Sequence, residues 1–148
     1  MKKRSSKIRK VVSLASADEA RAGAATGKSR QKLEEHLSRL GELNAYRQGY
    51  AELSKSMSAV SAAHWKDYQS FMNRLDEAVK SQQQIVRDSE LNLDSHRRRW
   101  AAKRQRLESL QRVLDSYTTA EATHAERLQQ RAVDDMPKPD TLFDEEEA

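Results

Sequence analysis

Trp65-Lys66-Asp67-Tyr68-Gln69-Ser70-Phe71-Met72-Asn73-Arg74-Leu75 opens a run whose key positions recur every three or four residues as far as Leu128. Those positions are 65, 68, 72, 75, 79, 82, 86, 89, 93, 96, 100, 103, 107, 110, 114, 117, 121, 124 and 128, and thirteen of the nineteen are apolar. Neither glycine nor proline interrupts the chain between Gly49 and Pro137. A 3.5-residue repeat held this long predicts one helix with a continuous seam, wound left-handedly around another helix.

Composition points the same way. Charged residues make up 34% of the 148 and aromatics 5%, a balance expected of long helices and too poor in apolar surface for a globular core. At this length the chain reads as one structural unit. There is no cysteine, hence no disulfide framework and no thiolate metal site, which fits a reducing compartment. No apolar run approaches the roughly 20 residues that span a bilayer, and Val11-Val12-Ser13-Leu14 is too short for a signal-peptide apolar region. The expectation is a cytoplasmic protein.

A second run precedes the first: Leu33, Leu37, Leu40, Leu43, Tyr46, Tyr50, Leu53 and Met57. Between the runs, residues 54–63 hold four serines, whose hydroxyls compete for backbone groups, and Ser58 or Ser61 is placed to cap a following helix. The expected fold is all-α: a long antiparallel two-helix coiled-coil hairpin with arm one at about 5–56, a turn at about 57–63 and arm two at about 64–133. An acidic tail without a fold of its own follows at 134–148, where Pro137 and Pro139 end helical structure. The second helix, at about 1.5 Å per residue, spans roughly 100 Å. Reversal near residue 60 sets residue n of arm two opposite about 120 − n of arm one. Polar seam positions Gln82, Ser89, His96 and Lys103 then face roughly residues 17–38, the part of arm one that contains Ala20, Ala22, Gly23, Ala24, Ala25 and Gly27, which predicts a loose middle between two firm ends. A homodimer of straight helices would mimic this matching.

Catalytic chemistry is missing. His36, His64, His96 and His124 show no i, i+4 pair for zinc, no glycine-rich phosphate loop or nucleophile elbow is present, and a two-helix rod offers no pocket to tune a carboxylate. No enzyme activity, metal or cofactor is expected. Charge is blocked along the chain: six basic residues in Met1–Lys10, six in Arg97–Arg106, and seven acids against Lys138 in Asp134–Ala148. Arg97 to Arg106 superficially resembles the basic region of a leucine zipper. The zipper breaks at Glu121, however, and Trp100 and Lys103 lie on the seam, so sequence-specific DNA binding is disfavoured.

Near the turn the chain has more apolar surface than a seam uses. Phe71, Ala78 and Ile85 flank seam positions, and Leu43, Tyr46 and Tyr50 cluster across from them, a surplus that suits a protein partner. Leu43-Asn44-Ala45-Tyr46-Arg47-Gln48-Gly49-Tyr50 and Trp65-Lys66-Asp67-Tyr68-Gln69-Ser70-Phe71-Met72-Asn73-Arg74-Leu75-Asp76-Glu77-Ala78 resemble the flagellar FliJ family. The likeness covers most of the chain and departs from the family at Arg39, at Gln82 and in a turn without glycine. It implies a non-enzymatic stalk of the bacterial flagellar type III export apparatus, cytoplasmic and peripheral to the inner membrane at the flagellar base. The implied partners are the hexameric export ATPase, the cytoplasmic domain of the export-gate membrane protein, and export chaperones. By carry-over Leu43, Tyr46, Tyr50, Phe71, Leu75 and Ala78 form the gate-binding patch. The ring-inserted end holds Ile8, Val11, Val12, Leu107, Leu110 and Leu114, with the basic blocks facing acidic loops of the ring. The competing reading is a generic homodimeric coiled-coil scaffold, and behind it a basic coiled coil that binds nucleic acid nonspecifically.

Overall fold

The computed structural model describes residues 4–56 and 61–137. They form two helices, α1 (Arg4–Ser56) and α2 (Ala62–Asp134), which pair antiparallel as a two-helix coiled coil. Met57, Ser58 and the acidic tail beyond Pro137 lie outside the described residues. Packing divides the molecule into two compact units, one of residues 17–104 and one of the segments up to Ser16 and from Gln105 onward.

The α2 seam lies where the periodicity puts it. Every repeat position from Tyr68 to Glu121 is buried or half-buried. Its two ends differ from expectation: Trp65 and Leu128 are each 52% exposed, and His124 is also exposed.

The α1 seam keeps Leu33, Leu40 and Leu43 of the expected run but takes His36 in place of Leu37. The covered positions are Ser5, Ile8, Val12, Ala15, Glu19, Ala22, Thr26, Ser29, Leu33, His36, Leu40 and Leu43, again three and four apart. Leu37, Tyr46 and Leu53, expected in the seam, are 45%, 64% and 52% exposed. Small and hydroxyl residues, Ser5, Ala15, Ala22, Thr26 and Ser29, fill five of these twelve positions, and they carry little hydropathy signal although they allow close approach of a neighbouring helix.

In the larger unit the pairing follows the expected register closely. Gln82 Nε2 donates to the His36 carbonyl at 2.9 Å, where a partner near residue 38 is expected. Thr26 Oγ1 donates to the Ala22 carbonyl at 2.8 Å and to the His96 carbonyl at 3.2 Å. Trp100 meets both Glu19, through Nε1 at 2.8 Å, and Gly23, where a methyl group would lie only 3.1 Å from the indole.

These contacts overturn the expectation of a loose middle. Val79, Gln82, Val86 and Leu93 of α2, with Thr26 and Ser29 of α1, are among the most buried residues of the chain, and Leu93 is 4% exposed. Gln82 and Thr26 meet backbone acceptors instead of water, Ser29 Oγ and His36 Nδ1 are buried without a hydrogen-bond partner, and small α1 residues leave room for large α2 ones. Hydropathy alone weighs polarity and misses volume.

The turn end of this unit is the more open part. Serine hydroxyls bond the backbone of the last α1 turns, Ser54 to the Ala51 carbonyl at 2.7 Å and Ser56 to the Leu53 carbonyl at 2.8 Å. Ser61 caps α2: its Oγ accepts from the His64 amide at 3.5 Å and contacts His64 Nδ1 at 2.6 Å. Ser61→Ala is expected to cost about 0.5–1 kcal/mol, read as faster amide exchange confined to the first α2 turn.

In the smaller unit Ser5 joins its α1 segment to α2, with its Oγ donating to Glu121 Oε2 at 2.6 Å. Simple reversal about residue 60 puts the partner of Ser5 near residue 115, so the register here is shifted by more than a helical turn. Leu107, Leu110, Leu114 and Tyr117 are half-buried along this stretch of α2.

Candidate functional site

The turn end of the larger unit holds aromatic side chains the seam does not absorb. Tyr50 and Phe71 meet across the two helices with ring centroids 4.7 Å apart and planes tilted by 59°, a geometry that suits aromatic quadrupoles. Tyr68 donates its hydroxyl to the Tyr50 carbonyl at 3.0 Å, and Trp65 stacks on Tyr68 at 5.7 Å. The Arg47–Asp76 pair, 2.6 Å long and half in solvent, adds a further bridge between the helices. Such an exposed pair contributes less than about 1 kcal/mol, so it sets register more than stability.

Beside this cluster α1 shows an apolar concavity lined by Glu42, Ala45, Tyr46, Gly49, Tyr50 and Leu53. These residues are spaced as one helical stripe, which is open at Gly49, where nothing lies within 4 Å of the position a Cβ would take. An i, i+3, i+4, i+7 strip of this kind accepts apolar side chains from another protein.

Six residues were singled out from sequence for this region. Tyr46, Tyr50 and Phe71 stand 64%, 39% and 40% exposed. Leu43, Leu75 and Ala78 are half-buried on the seam side of the same stretch. Tyr50 and Phe71 touch each other, and Tyr46 and Tyr50 share the concavity. Sequence reasoning missed Gly49 and Trp65 as parts of this surface and spent Leu53 on the seam. The signal for Gly49 and Leu53 was present in the 42-45-46-49-50-53 spacing, a stripe adjacent to the true seam.

In the smaller unit Ile8, Val12, Leu107, Leu110 and Leu114 are half-buried and Val11 is 37% exposed. They contribute to packing there, while Leu14, Leu128, Val133 and Met136 of the same unit stand exposed.

Fold and site together define an antiparallel two-helix coiled-coil protein with aromatic surface outside its seam. The family profile of the flagellar FliJ protein matches residues 4–137. The Flagellar FliJ protein of Escherichia coli (strain K12) is 30% identical over 108 residues, spanning 72% of this chain and 71% of the relative. No solved structure matches. The chain belongs to the flagellar FliJ family and is a flagellar, export-related protein.

Proposed function

We propose that the protein is a non-enzymatic stalk of the flagellar type III export apparatus, working in the cytoplasm against the inner membrane. In this reading it joins the hexameric export ATPase to the cytoplasmic domain of the export gate and engages export chaperones. The observation that carries the reading is the aromatic surface at the turn end, Tyr46, Tyr50 and Phe71 around the Gly49 hollow, in a chain of this family. Exposed aromatic and aliphatic side chains cost solubility and bury large area at little rotamer cost, so they suit a docking face.

The gate-binding patch then comprises Tyr46, Tyr50 and Phe71 at its surface, with Leu43, Leu75 and Ala78 supporting them from the seam side. The ATPase-ring end is the smaller unit, with Ile8, Val11, Val12, Leu107, Leu110 and Leu114 stiffening the helices and Arg4, Lys7, Arg9 and Lys10 presenting charge to acidic loops.

Two experiments test it. A pull-down with the hexameric export ATPase is expected to retain the protein, and no retention removes the ring contact. Tyr50→Ala with Phe71→Ala is expected to weaken gate-domain binding by more than about tenfold, since a pair of central aromatics contributes over about 1.4 kcal/mol. Helicity by circular dichroism is followed alongside. Unchanged gate affinity at native helicity removes the patch, and lost helicity reassigns the two rings to the core.

A further inference from the structure

The basic block Arg97–Arg106 is not evenly engaged around α2. Two of its cations have partners: Arg98 pairs with Asp94 at 3.0 Å, and the Arg104 guanidinium lies 4.4 Å over the Trp100 ring. Arg99 and Lys103, one helical turn apart, line a groove of about 270 Å³ between the two helices. Arg21, Ala22 and Ala25 of α1 form the facing wall, with His96 and Asp18 completing it. The alanines leave the groove open, and its single carboxylate, Asp18, stands 3.9 Å from Arg21.

Among the described residues no ion pair or hydrogen bond occupies the side chains of Arg99 or Lys103, and the same holds for Lys28 and Lys32. Those two lysines continue the α1 row beyond Ala25 at helical spacing, both exposed. One flank of the larger unit thus presents five cations, Arg21, Lys28, Lys32, Arg99 and Lys103, around an open groove.

We propose that this flank docks directly on anionic phospholipid headgroups, with lipid phosphates seated between Arg21, Arg99 and Lys103. The inference rests on the reading that the protein works against the membrane, and adds direct lipid contact to it. A row of cations along one side of paired helices fits a plane of charge, and each Lys or Arg near such a surface strengthens binding about fivefold. Nucleic acid fits less well. Trp100, the one aromatic residue in 17–40 and 82–104, has its indole against Gly23 and bonded to Glu19, so no ring is offered for base stacking.

The test uses the full chain with vesicles of phosphatidylcholine alone or mixed with phosphatidylglycerol, in co-sedimentation at several salt concentrations. Binding is expected only to the phosphatidylglycerol vesicles and to weaken with salt. Arg21→Gln, Arg99→Gln and Lys103→Gln combined are expected to lower affinity by at least about twentyfold at native helicity. Arg112→Gln, Arg127→Gln and Arg131→Gln, which remove the same charge elsewhere, are expected to change it less than about threefold. Equal losses from both sets, no preference for phosphatidylglycerol, or tighter binding to duplex DNA at matched phosphate overturns the proposal. Amine labelling of the unmutated protein gives an independent reading. Vesicles must shield Lys28, Lys32 and Lys103 more than Lys80, and equal labelling overturns the proposal too. Gate-domain binding by the first variant is expected to be unchanged, so failure of the lipid contact and failure of the stalk reading remain distinguishable.

Discussion

Leu93→Ala is expected to lower the unfolding free energy by about 2–4 kcal/mol, measured by urea or thermal denaturation with circular dichroism. Leu93 is 4% exposed in the middle of the larger unit, where a two-helix structure has few other fully covered apolar side chains. Removing its branched end discards both the transfer energy and the contacts around the void, and a well-packed seam cannot collapse to fill it. Leu91, two residues away and 70% exposed, supplies the control: Leu91→Ala is expected to change stability by less than about 0.5 kcal/mol. Equal effects at the two positions contradict the seam phase.

The second large effect centres on Trp100. Trp100→Ala is expected to cost about 2–3 kcal/mol, below the usual range for a fully buried tryptophan because the side chain is only half-buried. Gly23→Leu reaches a similar loss from the opposite direction. A Cβ there already lies 3.1 Å from the indole, so a longer side chain must expel the ring and break the Nε1 bond to Glu19. Removing a helical glycine returns about 1 kcal/mol of propensity, which makes Gly23→Ala nearly neutral. Combining Gly23→Leu with Trp100→Ala is expected to cost at least about 1 kcal/mol less than the two single changes together, because the new side chain occupies the space the indole vacates. Strict additivity contradicts the close packing of Trp100 on Gly23.

The α2 seam was legible from sequence because its residues are large, and large apolar residues at a fixed period are what hydropathy detects. Tyr68 to Glu121 follow the predicted positions one for one. The α1 seam was not legible because Ser5, Ala15, Ala22, Thr26 and Ser29 pack by being small. In the leucine and tyrosine run that follows, the phase is off by one at Leu37, where His36 is covered instead. Tyr46 was legible as surplus surface, whereas Leu53, counted in the seam run, joins it and Gly49 in the α1 hollow. Residue types near the turn were readable, but the face they share depends on a helix phase that only packing sets. The basic block was equally readable as a run, whereas which of its cations stay free depends on the two that Asp94 and Trp100 engage.

The division of labour between seam and surplus surface is tested most directly at Tyr46, which is 64% exposed and lies outside the seam. Titration of the export gate's cytoplasmic domain with Tyr46→Ala, compared with the unmutated chain, is expected to show about tenfold weaker binding with helicity and Tm unchanged. An unaltered Kd at intact helicity contradicts the assignment of this face as the docking surface.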